Sequence, residues 1–235
     1  MILAANQPYF FPYLGYWQLI NAADLFLVSD NLAYMRKSWV NRNKILVGGK
    51  PVWFRLEVKD ASSFRLIMDT ELSGINDFGE KLKTLEMAYH KAPFFADGYE
   101  LVSRVFEFDC GGMLSPFLEN SIREVCAYLG IETTIGRASD YPEDIKYRRE
   151  ESLYYLCDLL GADTYINLPR GQALYDFGEF RRRGIRLRFI DPVLNPYPQA
   201  GGGFVSRLSI LDAIMFNSRE RLHDMLSDFN YVDGV

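Results

Sequence analysis

Histidine is nearly missing from this chain: His90 and His223 are the only two in 235 residues. A His-rich metal centre is thereby excluded, and a Ser-His-Asp hydrolase would have to use one of those two. Cysteine is scarce as well. Cys110, Cys126 and Cys157 are odd in number and lack C-x-x-C spacing, so they read as buried thiols of a reducing cytosol, not as disulfides or a zinc site. No run approaches the ~18–20 apolar residues that a membrane-spanning helix needs. The stretch Met1–Gln7 lacks the basic start and long apolar core of a secretory signal. These absences together set the expectation of a cytoplasmic protein with no membrane span. A strong charge of either sign is also absent. With 26 basic and 31 acidic side chains the net charge is −5, which argues against nucleic acid as a partner. The chain is 49% apolar, enough to build a sizeable core and to exclude wholesale disorder. What it has in excess is aromatic side chains.

The local pattern is α/β. Ile2–Asn6 is a short apolar strand, Tyr13–Ala22 a helix entered through Pro12, and Asp24–Asp30 a second buried strand. Strand, helix and strand within about thirty residues are the signature of a βαβ unit on a parallel sheet. Val52–Val58 and Phe64–Met68 read as a further antiparallel pair. Helices are expected over Asn76–His90, Tyr99–Phe106 and Leu114–Leu129, then a strand at Ile131–Ile135. The last third alternates again: helix Glu150–Leu160, strand Thr164–Leu168, helix Phe177–Arg183, strand Ile185–Ile190, and closing helices Ser209–Phe216 and Glu220–Phe229. The resulting expectation is one α/β domain over 1–235, with a Rossmann-like, nucleotidyltransferase-like parallel sheet and a mainly helical insertion over about residues 75–130.

Chemistry is most concentrated in Gln7–Ile20, where six of fourteen residues are aromatic. A loop that follows a first parallel strand lies at the carboxyl edge of the sheet, where α/β proteins bind ligands. Gln7, Tyr13 and Tyr16 are the candidates there, while Phe10, Phe11 and Trp17 read as core. Asp30, at the end of the second strand, suits an amine or a sugar hydroxyl. Trp39-x-Asn41-Arg42-Asn43 has the polarity of a recognition segment, since Arg forks onto phosphate or carboxylate and Asn gives directional hydrogen bonds. Asn167 and Arg170 follow a later strand and reach the same edge. Tyr197, Gln199, Ser206 and Arg207 flank a Gly-Gly-Gly loop before a helix, a setting that cradles anions through backbone N–H groups. Ser209 reads as that helix's N-cap, with Asp212 completing a box-like pattern.

Two resemblances follow from these motifs. Tyr13-x-Gly15-Tyr16 sits where nucleotidyltransferase-type α/β proteins, pantothenate synthetases among them, carry His-x-Gly-His, with both histidines replaced by tyrosine. Over nearly the whole chain the sequence resembles the WbqC-like protein family. The resemblance runs through Gln7–Ile20, Asp30, Trp39–Ile45, Leu160–Ile166, Tyr197–Gln199 and Leu208–Asp212; Phe54–Val58 lacks the proline usual in that strand. It implies a role in bacterial surface-polysaccharide (O-antigen) biosynthesis, and a glycine-transferase activity has been proposed for one relative. Pantothenate synthetases and a glycine transferase acting on an amino sugar both make amides. The leading expectation is therefore an amide-forming transferase that moves a glycyl or other acyl group to an amino sugar nucleotide. The alternative is a non-catalytic or regulatory sugar-nucleotide-binding protein. Catalytic roles fall on Tyr13, Tyr16 and Asp30; the other candidates named above bind substrate. No metal ligand set is expected, ATP or Mg enters only if the chemistry proceeds through an adenylate, and self-association is left open.

Overall fold

The computed structural model describes residues 1–141 and 149–233. The opening unit is β1 (Ile2–Asn6), α1 (Leu14–Asn21) and β2 (Leu25–Val28). Its strands are apolar because both faces of the sheet are covered. Ala4 and Phe26 point into one core layer, and Leu3, Ala5 and Leu27 into the other. This alternation is the period-2 rule applied to a doubly buried parallel sheet. Helix α1 is buried from Leu14 to Ile20, as its all-round apolar sequence dictates.

After β2 the chain leaves the sheet for a hairpin, β3 (Arg42–Val47) and β4 (Lys50–Arg55), and three helices, α2 (Phe78–Tyr89), α3 (Phe95–Glu107) and α4 (Leu114–Leu129). It returns through β5 (Thr134–Arg137), α5 (Arg149–Leu160), β6 (Thr164–Asn167), α6 (Phe177–Arg182) and β7 (Arg186–Pro192). It ends with α7 (Ile210–Phe216), α8 (Arg219–Met225) and β8 (Phe229–Asp233). The sheet order is β5-β2-β1-β6-β7-β8. All neighbours are parallel except β8, which runs antiparallel on β7. The fold is a doubly wound, Rossmann-like α/β sheet. Two hydrophobic layers sandwich it, one including side chains of α1, α3, α4 and α7, the other of α5 and α6.

Two sequence expectations are corrected. The antiparallel pair is β3 with β4, not Val52–Val58 with Phe64–Met68. Its turn residues Gly48 and Gly49 have φ of 57° and 76°, the left-handed backbone that a two-residue hairpin turn requires. Phe64 is 98% exposed, and Leu66 makes only an isolated bridge to Ala33. The helix expected over Glu220–Phe229 stops at Met225, and Phe229–Asp233 becomes the edge strand β8. Smaller shifts extend α3 back to Phe95 and move the fifth strand to Thr134–Arg137.

Candidate functional site

From β1 the chain winds outward to β2 and β5 on one side; β6 and β7 lie on the other. The winding reverses between β1 and β6, and the crevice outside the carboxyl ends of those strands is where such sheets bind ligands. Asn6 ends β1 and Asn167 ends β6. The Asn6 side-chain oxygen accepts from the Gln7 N–H at 2.8 Å. Asn167 lies 2.8 Å from the Tyr175 hydroxyl, 2.9 Å from that of Tyr165 and 3.2 Å from the Ala5 carbonyl. Its oxygen accepts from Leu168 N at 2.8 Å, so Asn167 anchors the strand end. Gln7 differs. Gln7 is 9% exposed and its Nε2 is enclosed without a hydrogen-bond partner among the described residues, a group whose burial costs about 1–3 kcal/mol if nothing meets it. Arg170 lies in the short helical turn Pro169–Leu174, but its side chain lies outside the described residues.

The aromatic loop is held from three directions. Tyr16 is fully buried, and its hydroxyl donates to the Gln7 carbonyl at 2.9 Å. Trp17 donates its ring N–H to the Pro12 carbonyl at 3.0 Å. Phe11 has φ 43°, a costly conformation for a non-glycine residue. Its carbonyl accepts from Asn43 Nδ2 at 2.7 Å and from Ser209 Oγ at 2.8 Å. Ser209 also caps α7, accepting from Leu211 N, and its own N–H donates to Lys44 O. Of the expected site residues, Tyr16 is thus enclosed and braces the Gln7 carbonyl, and Asn43 is buried with its amide on the Phe10 and Phe11 carbonyls.

Asp30 is enclosed as well. It is 1% exposed, and its carboxylate accepts from Ser115 Oγ at 2.8 Å, Ser139 Oγ at 2.9 Å and Ser139 N at 3.2 Å. Those bonds tie the end of β2 to α4 and to the turn after β5. Asp212 has the same character, which the capping pattern did not anticipate. It is fully buried and accepts from Tyr89 at 3.1 Å, Tyr197 at 2.9 Å and Gln199 Nε2 at 2.6 Å. Gln199 also exchanges two hydrogen bonds with the Val205 backbone, so Tyr197 and Gln199 pin the loop after β7 from inside. Burial holds the Asp212 carboxyl above its usual range, while donation from Tyr197, Gln199 and Tyr89 pulls it back. Because the folded pKa is raised, this contribution is fully present at low pH and is lost as pH climbs from the ordinary carboxylate range, about 4, through the folded value. The thermal midpoint of wild type minus that of Asp212→Asn is therefore expected to shrink as pH rises from about 4. A gap that widens instead would contradict a raised carboxyl.

A small cavity lies between α1 and the loop after β7. Tyr13, Leu14, Asn195, Tyr197, Phe204 and Arg207 help line it, and its volume is about 20 Å³. That is space for one water-sized group, not for a nucleotide. Gly15 lets the Tyr13 ring lie across the helix start, because a Cβ there would meet it at 2.5 Å. Arg207 is exposed, has φ 59°, and holds its guanidinium carbon 5.8 Å from the Tyr13 ring centre. Ser206 beside it is exposed. Gly201 sits against the hairpin turn, where a Cβ would come 2.6 Å from Gly49 Cα. Trp39, Asn41 and Arg42 gather at the hairpin. The Trp39 carbonyl accepts from Phe10 N at 3.0 Å, and Asn41 donates to Leu56 O at 2.7 Å.

Among the described residues no group of three or more His, Cys, Asp or Glu side chains is placed to hold a metal ion, and no helix is long and apolar enough to cross a membrane. His90 and His223 stay away from this edge, each ring near a helix carbonyl, of Glu86 and Leu129 respectively. Burial pushes the Cys126 and Cys157 thiols up to about 12, so neither offers a thiolate at neutral pH.

Fold and strand order together define a doubly wound α/β protein whose winding reverses between β1 and β6. The chain belongs to the WbqC-like protein family, which matches residues 7–224. It is 28% identical over 226 residues to an uncharacterized protein, Rv1507c, of Mycobacterium tuberculosis, covering 95% of this chain and 96% of that one. No solved structure matches it significantly.

Proposed function

We propose that the β1/β6 crevice binds a nucleotide-linked amino sugar and that the protein transfers an acyl group, such as glycyl, to its amine. The product would be an amide used in bacterial surface-polysaccharide synthesis. The observation that carries the binding half is Gln7 Nε2, a buried donor with no partner among the described residues, at the reversal point of the sheet. Membership of the WbqC-like family supports the polysaccharide setting. In the step itself, the amine lone pair attacks the acyl carbonyl of an activated donor. The new C–N bond forms as the donor's leaving group departs with its electron pair, and the ammonium proton passes to solvent. Gln7 would orient the substrate, Tyr13 would hydrogen-bond it, and Arg207 would hold negative charge on the leaving group. Positioning and charge stabilisation supply the rate in such a site.

One observation favours the second reading, a non-catalytic sugar-nucleotide binder: neither histidine and neither buried thiol stands ready to act. Incubation with ATP, glycine and a panel of amino-sugar nucleotides, read by mass spectrometry, separates the two. A glycyl mass gain with release of AMP or ADP supports transfer, whereas binding without any product supports the binder. For Gln7→Leu we expect at least a tenfold loss of nucleotide-sugar affinity, about 1.4 kcal/mol. Thermal stability should stay level or rise, because an unmet buried donor is removed. A variant that binds like wild type would move the crevice elsewhere.

A further inference from the structure

Beta pairing gives the hairpin two unlike faces. Asn43, Ile45 and Phe54 point inward and are buried. Arg42, Lys44 and Trp53 occupy the outward face, with Lys44 directly opposite Trp53 in the register. The Arg42 guanidinium carbon lies 4.1 Å from the Trp53 ring centre and Lys44 Nζ 5.0 Å from it. Trp39 joins them, its ring centre 5.6 Å from that of Trp53. The two indoles are 40% and 41% exposed. No carboxylate pairs with Arg42 or Lys44 among the described residues, although the neighbouring Arg55 has Glu57 at 2.6 Å. Arg42 gives one Nη2 bond to the Lys37 carbonyl and leaves its Nε enclosed without a partner among the described residues.

From this we infer that the outward hairpin face is a sugar-phosphate subsite, in which Trp39 stacks on a pyranose ring while Arg42 and Lys44 hold the phosphate joined to it. The inference rests on the sugar-nucleotide reading above and assigns the end of the ligand that the β1/β6 crevice leaves unassigned. Stacking on Trp53 fixes the Arg42 fork before an anion arrives, which lowers the ordering cost of binding. The indoles are tilted by 46°, so they form no parallel slot for a base; one open ring suits the C–H face of a sugar. In a chain of net charge −5, two cations without acidic partners mark a local preference for an anion. The hydrogen bond from Phe10 N to the Trp39 carbonyl joins this face to the loop that carries Gln7.

The test is a titration of the full-length protein with UDP-N-acetylglucosamine, glucosamine 1-phosphate, N-acetylglucosamine and UDP, by calorimetry and tryptophan fluorescence. Trp17 is fully buried and serves as the constant background. The phosphorylated sugars should quench fluorescence and protect it from iodide. Trp39→Ala should weaken UDP-N-acetylglucosamine at least tenfold and UDP less than twofold, while Lys44→Gln should weaken both and flatten the salt dependence. Trp39→Phe, which keeps a ring, should recover most of the affinity and covers the case in which the alanine variant fails to fold. If the Trp39 and Lys44 variants bind all probes like wild type while Gln7→Leu does not, the subsite is overturned and the crevice stands. If wild type binds none of the probes, both fall. Binding to phosphatidylglycerol vesicles that is lost in Trp39→Ala, without any sugar effect, would overturn the subsite in favour of a membrane-surface role.

Discussion

Replacing Asp30 with alanine is expected to lower the unfolding free energy by about 3 kcal/mol, because hydrogen bonds to a charged group contribute roughly 1.5–3 kcal/mol and buried donors left unmet add to the loss. Ser115 and Ser139 would both lose their acceptor, and β2 would come loose from α4 and from the turn after β5. Urea unfolding measures the change directly. Asp30→Asn keeps one oxygen and should fall between the two. An alanine variant that unfolds within ~1 kcal/mol of wild type yet loses the proposed transfer activity would speak for a catalytic role of the carboxylate.

Ser209→Ala carries the second large effect, about 2 kcal/mol. Roughly 1 kcal/mol comes from the missing N-cap of α7 and about as much from the Phe11 carbonyl that loses one of its two donors. Ser218 is the built-in comparison, since it caps α8 by accepting from Arg221 N on the exposed surface; Ser218→Ala should cost about 1 kcal/mol. Equal losses for the two serines would mean that the Phe11 clamp contributes nothing. The excess at Ser209 should also appear as altered ligand affinity, because releasing Phe11 frees the loop that holds Gln7.

These residues also mark where the sequence could and could not be read. The β1-α1-β2 unit, the resumption of strands at β6 and β7 and the helix end at Gly130 follow from periodicity and glycine placement within a few neighbours, and they are found where expected. The hairpin carries a weaker signal. Gly48-Gly49 lies between two β-prone runs, yet Arg42 and Asn43 look like the end of a polar loop. β8 was hidden because its pairing partner, β7, is some forty residues away, and nothing local distinguishes Phe229–Asp233 from a helix tail. The candidate site was legible as a place, the carboxyl edge, but less so as roles. Asp30, Asn43, Gln199 and Tyr16 have the chemistry of ligands and the burial of braces. Their partners, such as Ser139 for Asp30 and Phe11 for Asn43, come together only through the tertiary fold.

The close approach of Gly49 and Gly201 has a mechanical consequence. With no side chain on either residue, the tip of the hairpin and the loop after β7 meet backbone to backbone, so neither can move outward without parting from the other. A loop that lifts to enlarge the 20 Å³ cavity gives up its seat on the hairpin tip, and the strand pair bearing Trp53 loses a support.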